Sequence, residues 1–382
     1  MKILFALFTP RFSGAEKFIV NLVENNKEIS SYVLCSPGYF KKGLTNCEEI
    51  FYSGSIKKLE RNSSFLFALF RLTVMVPLLN IKTLYLIFKF NFQIIHVNNL
   101  TLASYIIPLA WLFKVTGCKT KFIWHDFDLT HKNNYEYYLT TVCYNVYSLT
   151  LVTSQAVANK YELKEKVKII YGGIETCRFK RDNNLRDRKR NELNVGNRIV
   201  IGEFGVLSEG KGTKFLIDSI TKMDNYKEKI FLLLIGRFDS EDFRSKVLDI
   251  LQNNFEGSYK LIEWIENIEE YYNAVDIMIN STLRLLREPL GATILEAMST
   301  SCLVLAPNRD GPAEIISDGE NGFLFESDNA DSFVERMKYL LNSHNSLSSV
   351  RDKARQTVIE KFDSIKMVRV FNHFINSLYE NS

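Results

Sequence analysis

Residues 287–298, Arg-Glu-Pro-Leu-Gly-Ala-Thr-Ile-Leu-Glu-Ala-Met, set two carboxylates around a turn that opens a helix. Pro289 and Gly291 make the turn, and the pattern after them predicts a helix from Ala292 to Ser299. The first N–H groups of a helix have no acceptor within it, and the positive end of the helix dipole lies there, so this start suits an anion. Glu288 precedes the helix and Glu296 lies inside it. A carboxylate beside a bound anion repels it, so the placement of Glu288 makes sense if it accepts hydrogen bonds from sugar hydroxyls. Glu296, farther along, suits the two hydroxyls of a ribose. The bland reading of the same spacing is a pair of surface glutamates, which helices commonly carry.

A second grouping is Gly-Val-Leu-Ser-Glu-Gly-Lys-Gly at 205–212, between a strand pattern and a helix pattern. Gly205 lets the backbone approach an anion closely, and Lys211 supplies a point charge for phosphates. A solvated surface lysine is the alternative. His125 stands at the end of the strand pattern KFIWH (121–125), and His96 near the end of QIIHVN (93–98). Asp126-Phe127-Asp128 is an Asp-x-Asp tripeptide, a spacing that holds a divalent metal in some enzymes. No other His, Cys, Asp or Glu cluster has ligand spacing, and no metal is expected. Cys35, Cys47, Cys118, Cys143, Cys177 and Cys302 are scattered, which suggests reduced thiols and a cytoplasmic protein.

These groups need elements to hold them. The 382 residues suffice for two α/β domains. Strand-like runs at 3–8, 32–35, 93–98, 121–125, 149–154 and 167–171 alternate with helical patterns at 15–27 and 101–115. Residues 178–198 are charged and lack an apolar period, as a linker and first surface helix would. The alternation restarts with strands at 198–205, 229–236, 259–264, 276–280, 302–306 and 322–325, and with a helix at 211–220. This order predicts two doubly wound parallel-sheet domains. Such sheets bind ligands beyond their strand C-termini, so the two would face a central cleft. The expected boundaries are 1–177, 178–362 and a terminal amphipathic helix in 363–382 that is free to cross back to the first domain.

Charge is unevenly spread. Residues 1–120 carry fourteen Lys and Arg against six Glu and no Asp, so the first domain is basic and the remainder acidic. A basic half suits an anionic partner such as a lipid phosphate or an acidic membrane face, or is simply a solvated surface. No zinc pattern, basic helix or aromatic–basic repeat points to nucleic acid. MKILFALFTPR at the start reads as a buried strand, its apolar run being too brief for a secretory signal. The greasy stretch 65–90 is broken by Arg71, Pro77, Asn80 and Lys82. It reads as two buried helices, or as an interfacial pair on a membrane with Lys82 and Lys89 near the headgroups.

The E-x7-E arrangement of Glu288 and Glu296, with Pro-Leu-Gly after the first and Ala-Met after the second, resembles the retaining glycosyltransferases of family 4, which have the GT-B fold. DGPAEII at 310–316 and GENGFLF at 319–325 resemble that family's downstream stretch, and GVLSEGKG resembles its diphosphate-gripping loop. FSGAEKFIVNL (12–22) resembles its glycine-rich turn into the first helix. Segments 153–161 and 171–179 also resemble family segments, while the specific part of the likeness is 199–325.

The resemblance implies a nucleotide-sugar donor (a UDP- or GDP-sugar), while the basic first half and the stretch 65–90 favour a carbohydrate or lipid-linked acceptor, as in cell-surface polysaccharide synthesis, with the chain on the inner face of the membrane. It implies catalytic roles for His125, Glu288 and Lys211. It implies donor contacts at Gly14, Gly205, Lys211, Glu288, Leu290, Gly291, Ala292, Thr293 and Glu296. Two departures stand out: Val206 occupies the position of the family's usual Arg, with Arg237, Arg284 and Arg287 as candidate substitutes, and Asn98 that of a second His after His96. The alternatives left open are a nucleotide-sugar epimerase of the same architecture and a non-catalytic sugar- or lipid-binding protein.

Overall fold

Every residue of the first strand after Lys2 is shut away from solvent, the mark of a strand covered on both faces. The computed structural model describes residues 1–8, 14–37, 44–56, 70–129, 135–223 and 228–380. The chain divides into two units, Met1–Gly173 with Ser364–Ser382, and Ile174–Asp363.

The first unit holds seven parallel strands: β1 (Lys2–Ala6), β2 (Ser30–Cys35), β3 (Glu49–Tyr52), β4 (Ile94–Asn98), β5 (Lys121–Asp126), β6 (Leu149–Val152) and β7 (Val167–Ile169), in the order β3-β2-β1-β4-β5-β6-β7. The strand order reverses between β1 and β4, where Ile3 pairs with Ile94. Its main helices are α1 (Gly14–Asn25), α2 (Val76–Phe90), α3 (Leu100–Val115) and α4 (Tyr135–Val146). Period-two alternation sorts the strand residues. Leu4, Ala6, Ile95, Val97 and Trp124 join Leu79, Leu86, Leu102, Ile106 and Cys143 in one core. Ile3, Phe5, Ile94 and Ile123 join Phe18, Ile19, Leu22 and Val23 in the other.

The terminal helix Ser364–Glu380 completes that second core with Met367, Val368, Phe371 and Ile375. Asn372 seals it, its Oδ1 accepting from Asn26 Nδ2 at 2.7 Å in a buried pair. The chain passes very close here: a Cβ on Gly173 would lie 2.6 Å from Ser364 Cα, so the crossing needs glycine.

The second unit holds six parallel strands: β8 (Ile199–Phe204), β9 (Ile230–Ile235), β10 (Tyr259–Ile262), β11 (Ile277–Ile279), β12 (Leu303–Pro307) and β13 (Phe323–Phe325), in the order β10-β9-β8-β11-β12-β13. Helices α5 (Thr213–Thr221), α6 (Glu241–Phe255), α7 (Ala292–Ser299) and α8 (Ala330–Ser343) lie among them. Leu216, Ile217, Val247, Leu251, Phe333 and Met337 pack with Ile201, Leu232, Leu234, Ile279 and Leu305 in its main core. The charged run after residue 178 forms a helix, Asn183–Glu192, capped by Asp182, whose side chain accepts from Leu185 N. It is anchored by Arg186 and Arg190, which both pair with buried Asp276.

The stretch 65–90 departs from the expected pair of buried helices. Its last twenty residues form one continuous helix, a π-helical turn at Arg71–Met75 leading into α2, while 65–69 lie outside the described residues. Pro77 follows directly on the π-helical turn, so its missing N–H falls where the hydrogen-bond pattern changes, and the helix continues through it. Nor is the helix buried. Leu79, Thr83, Leu86 and Ile87 face the core, whereas Leu72, Leu78, Ile81, Tyr85 and Phe88 are exposed. By length and composition Arg71–Phe90 could cross a membrane.

Candidate functional site

In the second unit the strand order reverses between β8 and β11, and the loops that leave these two strands carry the candidate groups. β8 ends at Phe204, and the chain turns through Gly205 at φ 126°, a conformation that favours glycine. The reason for glycine extends to the next loop: a Cβ on Gly236 would fall 1.4 Å from Gly205 O, so the two loops pass backbone to backbone. Residues 205–212 then lead into α5. Gly212, at φ 79°, abuts the loop after β11, since a Cβ there would lie 1.9 Å from Ser281 O.

That junction sets Lys211 against the segment before α7. Lys211 Nζ donates to Glu288 Oε2 at 2.6 Å, across 77 residues of sequence. The pair is partly exposed, Lys211 by 30% and Glu288 by 15% of the side chain. Glu288 is held from the other side by its backbone, whose carbonyl accepts from Gly311 N at 3.0 Å.

α7 spans Ala292–Ser299, the range expected from sequence. Gly291 caps it at φ 101° and offers no side chain to its first N–H groups. Among the described residues neither Ala292 N nor Thr293 N has an acceptor; Ile294 N and Leu295 N return to Gly291 O. Ala292 is exposed and Thr293 half-buried, while Leu290 and Gly291 are buried. Two uncapped amides, a helix dipole and an ammonium held next to Glu288 make a site for an anion carrying hydroxyl-bearing groups.

Glu296 is buried on α7, and its Oε2 accepts from Tyr272 OH at 2.6 Å. Val206 is exposed by 54% and offers no charge. Of the three candidate substitutes for arginine, Arg287 is committed to Asp310 through two bonds of 2.5 and 3.1 Å, Arg284 lies 3.7 Å from Asp328, and Arg237 is exposed. A cavity of about 360 Å³ opens beside β12 and β13, lined by Arg284, Arg309, Asp318 and Arg336 among others. Each of its arginines faces an acid, Arg284 with Asp328, Arg309 with Asp310 and Arg336 with Asp318, so its charges are largely balanced.

Sequence reading missed one group next to this site. Glu203, the penultimate residue of β8, is buried, and its Oε1 lies 3.2 Å from Thr213 Oγ1 and 3.0 Å from Ser281 Oγ. The only signal was an acid inside an otherwise apolar strand.

The first unit places its candidates differently. His125 and His96 are both fully buried, His125 Nδ1 lying 3.3 Å from His96 Nε2. Phe127 stacks on the His125 ring at 4.2 Å and Phe18 meets it edge-on at 4.7 Å. The expectation that His125 faces a sugar therefore meets a covered ring, although its Nε2 has no hydrogen-bond partner. Burial lowers both imidazoles, His96 to about 3 and His125 well below its ordinary value, where proximity to His96 adds to the effect. Both are neutral near pH 7. Asp126 is a buried structural acid: it pairs with Lys160, accepts from Tyr161 OH, and its Oδ1 accepts from Asp128 N. Gly14 opens α1, and a Cβ there would meet nothing within 4 Å, so packing does not demand glycine. Residues 12 and 13 of its motif lie outside the described residues.

Comparison with known proteins bears on the second unit first. Residues 185–357 match the family model described as Glycosyl transferases group 1. Over 194 residues the chain is 27% identical to the capsular polysaccharide biosynthesis glycosyltransferase CapM of Staphylococcus aureus, covering 50% of this chain and 49% of CapM. Over 163 residues it is 23% identical to the lipopolysaccharide core biosynthesis glycosyltransferase LpsE of Rhizobium meliloti (strain 1021), covering 43% and 45%. The chain thus spans about half the length of these curated relatives. Across 99% of its length it superposes on Anabaena Alr3699/HepE in complex with UDP-glucose, with a TM-score of 0.81 and 20% identity, covering all of that chain. The fold is accordingly that of GT-B glycosyltransferases, two Rossmann-like parallel-sheet domains.

Proposed function

We propose that this chain, whose residues 185–357 carry a glycosyl transferases group 1 domain, moves a sugar from a nucleotide-sugar donor to a carbohydrate or lipid-linked acceptor with retention of anomeric configuration. One observation carries the reading: the Lys211 ammonium and the uncapped start of α7 flank Glu288 in a single partly open site. The likenesses to CapM and LpsE support a place in cell-surface polysaccharide synthesis. The UDP-glucose held by HepE makes UDP-sugars the first donors to test, with GDP-sugars next.

In this reading the diphosphate lies over Leu290, Gly291, Ala292 and Thr293, with Gly205 leaving room for it. The amides of α7 and Lys211 stabilise the charge that builds on the leaving phosphate, the kind of term that dominates many enzymes. Glu288 accepts from hydroxyls of the transferred sugar and orients its anomeric carbon. Tyr272 already occupies Glu296 Oε2, so a ribose contact falls to Oε1. The acceptor hydroxyl attacks from the face the phosphate leaves. The C–O bond to the phosphate breaks as the new glycosidic bond forms, and the leaving phosphate takes the acceptor's proton. His125 enters only as a neutral group hydrogen-bonding through Nε2, and the role of Gly14 toward phosphate is carried by resemblance alone. No step is assigned to a metal.

A thermal-shift screen across UDP- and GDP-sugars tests the donor, because a ligand that binds the native state raises its melting temperature by mass action. A transfer assay with the stabilising donor tests the reaction. Stabilisation by no nucleotide sugar would sink the proposal. Val206 favours one rival, a non-catalytic binder, which would be stabilised by donor yet never consume it. An epimerase would turn over donor with no acceptor present.

The exposed apolar face of α2, together with exposed Trp111, Leu112 and Val115 on α3, supports a peripheral contact with a membrane, on the cytoplasmic face in this proposal. Lys89, set over the rings of Tyr85 and Phe90, suits the headgroup level.

A further inference from the structure

Beneath the Lys211 loop, Ser281 faces two acceptors with one proton. Its Oγ lies 3.0 Å from Glu203 Oε1 and 3.0 Å from the Lys211 carbonyl oxygen, which can only accept. If Glu203 were a carboxylate, one of these two contacts would lack a hydrogen. Its Oε2 would also be an ionised oxygen, buried and without any hydrogen-bond partner, an arrangement proteins avoid.

A protonated Glu203 supplies the missing hydrogen and leaves Oε2 a neutral carbonyl oxygen instead of a charged one. Its Oε1–H donates to Ser281 Oγ, the Ser281 hydroxyl donates to the Lys211 carbonyl, and Thr213 Oγ1 donates to the remaining lone pair of Oε1. We infer that Glu203 is a positioning residue for the diphosphate site: as a neutral acid it sets Ser281 to hold the backbone of Lys211, and binding of a nucleoside diphosphate is coupled to proton uptake at this carboxyl. This rests on the reading of Lys211 as a diphosphate ligand.

Burial pushes the Glu203 carboxyl up to about 7, against the opposing pull of Ser281, Thr213 and the Lys211 ammonium. Lys211 is the charged group acting on it among the described residues, and Glu288 faces that ammonium in turn. A bound diphosphate adds negative charge beside Lys211. The pull of the ammonium on Glu203 is then offset, and the proton is held more tightly. The group titrates near neutrality, so this coupling is felt at ordinary working pH.

The test is isothermal titration of UDP into the full chain at pH 7.5, in two buffers of unlike ionisation enthalpy, for wild type and Glu203→Gln. The amide keeps the shape and cannot titrate; ionisation of UDP itself is common to both proteins and cancels in the difference. Wild type should take up a fraction of a proton more than the variant. Its UDP affinity should fall up to about tenfold further than the variant's between pH 6.5 and 8.5, the effect of a one-unit shift. Equal proton uptake and parallel affinity profiles overturn the inference.

Should UDP bind neither protein, the donor reading fails, and the proton on Glu203 is read from ligand-free melts instead. There the wild-type melting temperature must drop relative to Glu203→Gln as pH rises from 5.5 to 8, and parallel curves overturn the assignment. Should Glu203→Gln not fold, Ser281→Ala serves. It cuts the link to the Lys211 carbonyl, and must weaken UDP binding while leaving a proton-uptake signal in place.

Discussion

Lys211 Nζ sits 2.6 Å from Glu288 Oε2, so the cation proposed to meet a diphosphate is already neutralised by the acid proposed to meet the sugar. The two roles are therefore coupled. Glu288→Ala releases the ammonium, and should leave UDP binding equal or tighter while cutting sugar transfer by about a hundredfold, the scale of lost positioning. Lys211→Ala should weaken UDP binding and transfer together. Because the pair is partly exposed, neither change should alter stability by more than about 1 kcal/mol. Steady-state kinetics with UDP titrations check the split; a Glu288→Ala enzyme at wild-type kcat would end the assignment.

The buried histidines make a pH prediction with a definite sign. Both folded pKa values lie below the unfolded one, so the unfolded chain binds more protons between them. Their contribution is present above pH 6.5 and is lost as pH falls toward 3, with a limiting slope of about 1.4 kcal/mol per pH unit for each imidazole. Urea melts of wild type at pH 7 and 5 should show the loss, and His96→Gln should reduce it. Catalytic pH profiles between 6 and 8 should show no histidine ionisation. A histidine pKa near 6.5 in an NMR titration of the folded chain, assigned to either residue, would contradict the buried pair.

Asp276 makes the opposite acid–base case in the second unit. Burial alone would raise its carboxyl, but Arg186, the Val200 amide and Arg190 outweigh it and hold the group below its ordinary value. Its stability is therefore present above the unfolded pKa and is lost as pH falls through the folded one. Asp276→Asn leaves two largely buried guanidinium groups without their acid, and should destabilise the chain by about 3–5 kcal/mol. Denaturant titration at pH 7 measures it. A cost under about 1 kcal/mol, the value of a surface pair, would show that the network contributes little.

The outer face of α2 makes a prediction about lipid. Ile81→Glu and Phe88→Glu alter residues exposed by 63% and 74%, so folding should change little. Flotation with anionic vesicles should fall sharply for both variants, and for wild type at high salt, since screening weakens attraction of the basic unit to lipid phosphate. Wild-type chain that stays at the bottom of the gradient would remove the membrane from the proposal.

Much of the fold was legible in the sequence because its signals are local. The helix Ala292–Ser299 followed from Pro289 and Gly291, whose backbone preferences act within a few residues. The apolar runs of β1, β8 and β9 fixed two parallel sheets, since only strands covered on both faces read so uniformly. β3 was missed because Glu49–Tyr52 is a half-exposed edge strand with no such run. The stretch 71–90 misled because Pro77 reads as a breaker, and the π-helical turn before it that lets the helix continue leaves no mark in the sequence.

The contacts at the site were decided by tertiary structure alone. Sequence supplied Lys211 and Glu288 as separate candidates, but their pairing across 77 residues depends on the Gly212–Ser281 contact between two loops. Nothing local marks Glu203 as a neutral acid: its environment is built by Ser281 from the loop after β11 and by Thr213 from the following helix. His125 reads from sequence as an open strand-end histidine, and it is the packing of Phe18 and Phe127 that covers it. Periodicity and turn chemistry act over a few residues and determine elements. Burial, and the protonation that follows from it, depends on atoms distant in the chain, so only the folded structure fixes what each group can do.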